Sequence, residues 1–257
     1  MRKNRLKKNR LQKRPLPINL LNALQRFEAF FFPQLCIICD NPRQENNRWL
    51  CSPCLNTITS DMTTRNSCPR CSQNRDLRNC TCDLCWDYPF ERIISFTDYT
   101  EKIQSIMHQI KYQGKRHLAY YMGQLCALHG TSSFLNECDM VVPIPLHWLR
   151  KQKRGYNQAE WFARGLLSGS NRQSLLAGNV VYRARRTATQ TKLDRANRRK
   201  NIADAFKLTS HGRSAVKGKS IILVDDVVTT GATTASAASV LLNEGCKKVT
   251  VVSFTRD

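Results

Sequence analysis

From about residue 90 onward two textures alternate along the chain: short runs of consecutive apolar residues, and longer stretches in which apolar residues recur every three or four positions. "KSIILVDD" and "KKVTVVSFTR" are near-continuous apolar runs rich in β-branched residues, the pattern of strands covered on both faces. "RIISFTDYT", "DMVVPIPL" and "NVVYRA" read as further strands. "EKIQSIMHQIKYQGKRHLAYYMGQLCALHG" has helical spacing in two stretches that meet near Gly114, and "NQAEWFARGLL" fits a third helix. A last helix, "TTASAASVLLNEG", is stopped by Gly245. Strands alternating with helices predict an α/β domain, a mostly parallel sheet flanked by helices, with its ligand site at the carboxyl ends of the strands.

Toward the amino end the periodicity gives way to cysteines. Eight of the twelve form CxxC pairs: Cys36/Cys39, Cys51/Cys54, Cys68/Cys71 and Cys82/Cys85. Two thiolates two residues apart meet one Zn²⁺ through a tight turn, and two such turns complete a tetrahedral site. Gaps of eleven and ten residues within successive pairs favour sequential tetrads, Cys36, Cys39, Cys51, Cys54 and Cys68, Cys71, Cys82, Cys85, with a cross-braced pairing as the alternative. Four sulfurs leave no open position, so both zincs are expected to be structural. Disulfides fit less well, because a large α/β domain follows that needs no staples. Cys126, Cys138 and Cys246 read as small core residues.

Charge adds a partner class. The 257 residues carry 41 Lys+Arg against 19 Asp+Glu, a formal charge of +22, which favours phosphate-rich partners such as nucleic acid, with an anionic membrane surface as the competitor. Eight of the basic residues fall in "MRKNRLKKNRLQKR", read as a disordered extension. The next segment, "PLPINLLNALQRFEAFFFPQL", is too interrupted by polar residues to span a bilayer and lacks a cleavage site. The expectation is a cytoplasmic protein, with the inner face of the membrane as the alternative placement.

The densest chemistry lies in "IILVDDVVTTGATTAS". A loop that follows a parallel strand and opens a helix presents unpaired N–H groups and partial positive charge, a cradle for phosphate. Thr229, Thr230, Thr233 and Thr234 add hydroxyl donors around Gly231. Phosphate alone would be repelled by Asp225 and Asp226, so the acids should face hydroxyl donors and a bound Mg²⁺. A sugar phosphate satisfies both halves; simple capping by Asp and Thr is the plainer alternative. "GRSAVKGKS" imitates a phosphate-binding P-loop but has five residues between its glycines and enters a strand, and the five histidines show no ligand spacing.

"ILVDDVVTTGAT" resembles the phosphoribosyl-pyrophosphate motif of type I phosphoribosyltransferases. Together with "VVPIPLHWLRKQKRGYNQAEWFA", "RRTATQTKLDRANRRKNIADAFKL" and the cysteine pairs, it resembles the ComF family of competence and DNA-utilisation proteins, close to its ComFC and GntX members, from about Leu35 to the end. The resemblance implies that Asp225 and Asp226 hold the ribose hydroxyls and that Thr229, Thr230, Gly231, Ala232 and Thr233 hold the 5′-phosphate. It places Pro143, Ile144 and Pro145 on the pyrophosphate loop and Arg154, Gly155, Tyr156, Asn157 and Gln158 on the family's "RGFNQ". Lys111 and Gly114 fall on "KY.G", and Arg186, Thr187, Gln190, Leu193, Arg198, Asn201 and Phe206 on the signature of the mobile catalytic loop. A departing pyrophosphate needs Mg²⁺ and guanidinium groups, for which Arg154, Arg186 and Arg198 are the candidates.

The expected organisation is a basic extension over 1–34, a double zinc ribbon over 35–88 and a phosphoribosyltransferase-like domain over 89–257. The expected function is DNA uptake, natural transformation or use of external DNA, with phosphoribosyl pyrophosphate and single-stranded DNA as partners. Two alternatives are an active transferase with an unknown acceptor, and a zinc-ribbon adaptor for a DNA-uptake helicase or channel.

Overall fold

The computed structural model describes residues 34–44, 47–64, 66–74, 88–130, 133–170, 172–184 and 205–257. The basic amino-terminal run, Cys82, Cys85, Arg186, Thr187, Gln190, Leu193, Arg198 and Asn201 lie outside them. The chain divides into two compact units, Met1–Cys51 and Ser52–Asp257.

In the first unit the chain turns tightly at Cys36–Cys39. Cys36 N–H donates to the Asn41 carbonyl at 2.8 Å, Asp40 N–H donates to the Cys36 carbonyl at 3.1 Å, and Leu35 bridges Pro42. The second unit repeats this turn at Cys68–Cys71. Cys68 N–H donates to Gln73 and Ser72 N–H to Cys68, each at 2.9 Å, and Ser67 bridges Asn74. The residue after each CxxC, Asp40 or Ser72, takes a positive φ, 55° or 57°. That repetition is a structural echo of the repeated cysteine spacing.

The second unit contains, in order, α1 (Ser52–Thr64), β1 (Arg92–Asp98), α2 (Glu101–Tyr112), α3 (Arg116–His129), β2 (Met140–Pro143), α4 (Trp148–Arg154) and α5 (Gln158–Leu166). There follow β3 (Val181–Arg183), β4 (Phe206–Leu208), α6 (Ser210–Ala215), β5 (Ser220–Val228), α7 (Ala232–Asn243) and β6 (Lys248–Arg256). Four strands form one parallel sheet in the order β1-β6-β5-β2, while β3 and β4 pair antiparallel. The two strands read as continuously apolar, β5 and β6, are the central ones, and every residue of β6 after Lys248 is buried. Burial on both faces is what their sequence required.

Helices pack where their apolar stripes point. Ile103, Ile106, Met107 and Ile110 form the buried face of α2, and α7 lies on β4, β5 and β6. The tightest pair is α3 with α5: a Cβ added at Gly123 would stand 2.2 Å from the Phe162 carbonyl oxygen, and one at Gly165 would stand 1.9 Å from that of Tyr120. The exposed edge of β1 is covered by the second cysteine turn. Ile93 N–H donates to the Arg70 carbonyl at 2.6 Å and Ser95 N–H to Ser72 Oγ at 2.9 Å, which removes a free edge from the sheet.

Several features differ from the sequence reading. The strand β5 continues past its two aspartates to Val228. The helix α4 was not foreseen, because none of its residues is buried and it has no apolar stripe to read. The strand β4 spans three residues, too few for a period. The imitation P-loop runs from α6 straight into β5, as its spacing implied. Among the described residues no helix is long and apolar enough to cross a membrane.

Candidate functional site

The parallel strands all end on one side of the sheet, and the acid pair sits there, at the end of β5. Asp226 accepts from Val227 N–H at 3.0 Å, and Asp225 accepts from Asp226 N–H at 2.9 Å. These backbone donors hold the carboxylates side by side. Lys111, in the last turn of α2, places its Nζ 3.4 Å from Asp226 Oδ2, and Gln158 Nε2 donates to the same oxygen at 3.5 Å. The Arg154 charge reaches Asp226 as well.

Where two carboxylates share a site, the charge of one raises the pKa of the other. Burial, and then the charge of Asp226, push Asp225 well above the ordinary carboxylate range. Burial pushes Asp226 up too, but Lys111, a hydrogen bond from Asp225 and the Arg154 charge outweigh it and hold Asp226 low. Lys111 is raised: burial opposes its charge, and attraction to Asp226 and Asp225 overcomes that. The pair is therefore split, with Asp225 raised and Asp226 held low in its ion pair with Lys111.

The threonine loop leads from Val228 into α7. Gly231 occupies the N-cap with φ 74°, in the left-handed region, and its carbonyl accepts from Thr234 Oγ1 at 2.8 Å. A side chain at Gly231 would meet the Tyr88 ring at 2.9 Å, and Tyr88 Oη donates to the Thr230 carbonyl at 2.6 Å. Tyr88, stacked on Phe90, thus fixes the loop from a strand-flanking segment far away in sequence. Thr229 is exposed, Thr230, Ala232 and Thr233 are half-buried, and the first turn of α7 offers its orphan N–H groups beside them.

On the other flank, Pro143, Ile144 and Pro145 carry the chain out of β2. Ile144 N–H donates to Val224, and the Ile144 carbonyl accepts from Asn157 Nδ2 at 3.0 Å. Asn157 Oδ1 also caps α5 by accepting from Ala159 N–H at 3.2 Å. Tyr156 Oη donates to the Ile110 carbonyl, anchoring α5 to the turn that carries Lys111. "RGYNQ" is thus a positioning segment: Tyr156 and Asn157 lock its backbone, while Arg154 and Gln158 face the acids. Arg154 lies 5.6 Å over the Tyr112 ring. Lys111 and Gln158 acquire their roles only here, and no local pattern marked Tyr88 as a loop anchor. Arg183, on β3, joins the electrostatic field of Asp225, with burial and then Arg150 holding it below the usual guanidinium range.

The amino-terminal cysteines form the second chemical feature. The sulfurs of Cys36, Cys39 and Cys51 lie within 4.8 Å of one another, with Cys39 and Cys51 3.5 Å apart, and Cys54 follows in the first turn of α1. A zinc with Zn–S bonds of about 2.3 Å spaces its sulfurs by about 3.8 Å, so the set fits that ion. Burial raises the Cys36 thiol, yet N–H groups of Cys51, Ile38 and Cys39 bring it down to about 7, toward the thiolate a metal needs. Cys68 and Cys71 are buried in the matching turn. Cys126 and Cys246 behave otherwise: burial raises the first well above the ordinary thiol value and the second to about 11. His147 is buried and caps α4, accepting from Leu149 N–H at 3.3 Å.

Relatives of nearly the same length found by comparison with known proteins include the following three. A DNA utilization protein YhgH of Escherichia coli strain K12 is 31% identical over 230 residues, 87% of this chain and 97% of that protein. A Competence protein F of Haemophilus influenzae is 26% identical over 232 residues, 88% and 98% of the two chains. A Competence protein ComFC of Bacillus subtilis is 24% identical over 240 residues, 86% and 93%. Residues 125–257 match the phosphoribosyl transferase domain family. The parallel sheet and its flanking helices are therefore a type I phosphoribosyltransferase-like fold.

Proposed function

The chain belongs to the ComF family of competence and DNA-utilisation proteins, and from that premise we propose that it serves DNA uptake or the use of external DNA through two adjoining surfaces. One binds phosphoribosyl pyrophosphate with Mg²⁺; the other binds single-stranded DNA. The observation that carries the first is the convergence of Lys111, Arg154 and Gln158 on the acid pair beside the threonine loop. Asp225 and Asp226 would accept the ribose hydroxyls, Thr229, Thr230, Gly231, Ala232 and Thr233 would hold the 5′-phosphate, and the Pro143, Ile144 and Pro145 segment would face the pyrophosphate. Mg²⁺ would neutralise pyrophosphate charge when bound. Two structural zincs, one of them on Cys36, Cys39, Cys51 and Cys54, complete the proposed cofactors.

The second surface is supported by α4. This helix buries nothing, yet it carries Arg150, Lys151, Lys153 and Arg154 behind Trp148, which is 59% exposed. Arg154 links it to Tyr112, 67% exposed on the helix that carries Lys111. Exposed rings among cations are the means by which proteins stack bases and track phosphates. Affinity for a labelled oligothymidylate, measured by anisotropy over a salt series, tests it. Trp148→Ala should weaken binding about tenfold at every salt concentration, as stacking contributes about 1–3 kcal/mol per base. Lys151→Gln with Lys153→Gln should lower the salt slope by about 1.4, at about 0.7 per phosphate contact. Wild-type affinity indifferent to salt, or unchanged in all these variants, rules the surface out.

A further inference from the structure

One strand beyond the acid pair, the ends of β6 and β1 frame a cavity of about 100 Å³, lined by Asn74, Asp98, Tyr99, Thr100, Arg256 and Asp257. Arg256 is only 8% exposed, and among the described residues it makes no ion pair. Its Nη1 donates to the Val228 carbonyl at 3.2 Å, while its Nε is buried with no acceptor among the described residues. A buried guanidinium lacking a carboxylate is costly unless something else supplies acceptors. Arg256 therefore indicates a ligand oxygen or ring nitrogen in the cavity.

The neighbouring strand narrows the class. Asp98 is the register partner of Arg256 across β1 and β6, and it accepts from Asn74 Nδ2 at 2.6 Å. A phosphate or sulfate on Arg256 would meet that carboxylate, so a free anion is disfavoured. A neutral group with an acceptor and an N–H donor side by side satisfies both residues, and Tyr99 supplies an aromatic surface. The volume is that of a small ring system: an engineered cavity of about 150 Å³ encloses benzene. Tyr99 also lies within the electrostatic field of Lys111, and Val228 leads into the threonine loop, so the cavity adjoins the acid pair on two sides.

We propose that this cavity seats the oxo and N–H edge of a nucleobase, with Arg256 donating to the oxo group and Asp98 accepting from the ring N–H. The base is either free or carried by a single strand. The proposal builds on the phosphoribosyl reading of the neighbouring site, and its test separates the two. Uracil, hypoxanthine and adenine are titrated calorimetrically into the full chain, and phosphoribosyl pyrophosphate with Mg²⁺ is titrated into the same preparations.

The expected result is that uracil or hypoxanthine binds at least about tenfold tighter than adenine, which lacks the oxo group. Asp98→Asn, which keeps the side-chain shape, and Arg256→Leu should each weaken that binding by about ten- to a hundredfold, the range for a charge-assisted bond, while Asp98→Asn leaves phosphoribosyl pyrophosphate affinity unchanged. Failure of both oxo bases to bind wild type, or equal affinity in Asp98→Asn, overturns the proposal even when phosphoribosyl pyrophosphate binds. Oxo bases that bind while phosphoribosyl pyrophosphate does not uphold the cavity and sink the neighbouring reading. Displacement of bound uracil by oligothymidylate assigns the cavity to a base on a strand; no displacement assigns it to a free base.

Discussion

Asp225 and Asp226 have the same side chain and opposite shifts, and the difference comes from their neighbours. Asp225 is pushed up by burial and by Asp226, so the folded chain retains a proton that the unfolded chain releases near pH 3.9. Stability should therefore fall as pH rises from there toward the raised value of Asp225. Asp226, held low by Lys111, contributes the reverse: its share is present above the unfolded value and is lost in acid. Asp225→Asn should remove the decline, leaving a urea midpoint that is higher than wild type at pH 7 and flatter with pH; parallel curves for the two proteins would contradict the split pair. The loop beside them depends on one backbone angle. Gly231→Ala adds left-handed strain of about 1–2 kcal/mol and sets a methyl group 2.9 Å from the Tyr88 ring. Urea unfolding should show a loss of about 2 kcal/mol or more, against about 1 kcal/mol for Tyr88→Phe, which removes only the bond to Thr230. Equal stability of Gly231→Ala and wild type would mean that the loop does not need that conformation.

At the scale of elements, the sequence was most legible where burial imposes a period. The apolar runs of β5 and β6, the helical stripe of α2 and the break at Gly114 all follow from local pattern. The motif that opens α7 was legible for another reason, since acids, threonines and glycine have few other uses together at the end of a strand. What escaped was tertiary. The helix α4 buries none of its residues, and Lys111 meets Asp226 where Tyr156 and Asn157 tie the start of α5 to α2 and to the segment after β2. No window of sequence contains both partners. The contact of α3 with α5 is equally silent, because Gly123 and Gly165 look like weak points in helices. In the structure they permit backbone contact, so Gly123→Ala or Gly165→Ala should destabilise by about 1–3 kcal/mol through overpacking. Gly169, which has nothing within 4 Å of an added Cβ, is the control, and its alanine variant should unfold within about 0.5 kcal/mol of wild type. Losses as small as the control's at both packed positions would show that the helices can separate at no cost.

For the whole molecule, zinc held in the cysteine turns would couple to the sheet. The second cysteine turn hydrogen-bonds along β1 through Arg70 and Ser72, so its collapse would uncover the edge of the sheet. Purified protein denatured in the presence of a colorimetric chelator should release two zinc ions per chain, and chelation before denaturation should lower the thermal midpoint of the sheet domain as well. Zinc-free protein with unchanged unfolding would remove the metal from the account. The net charge of +22 points to polyanions without saying where they bind; the site itself is defined by the few groups gathered on Asp225 and Asp226. Calorimetric titration of phosphoribosyl pyrophosphate with Mg²⁺ into wild type and the Asp225→Ala, Asp226→Ala double variant tests that claim most directly. Saturable one-site binding to wild type, lost in the double variant while its far-ultraviolet circular dichroism is unchanged, is the predicted result; no binding to wild type, or equal binding to both, would contradict it.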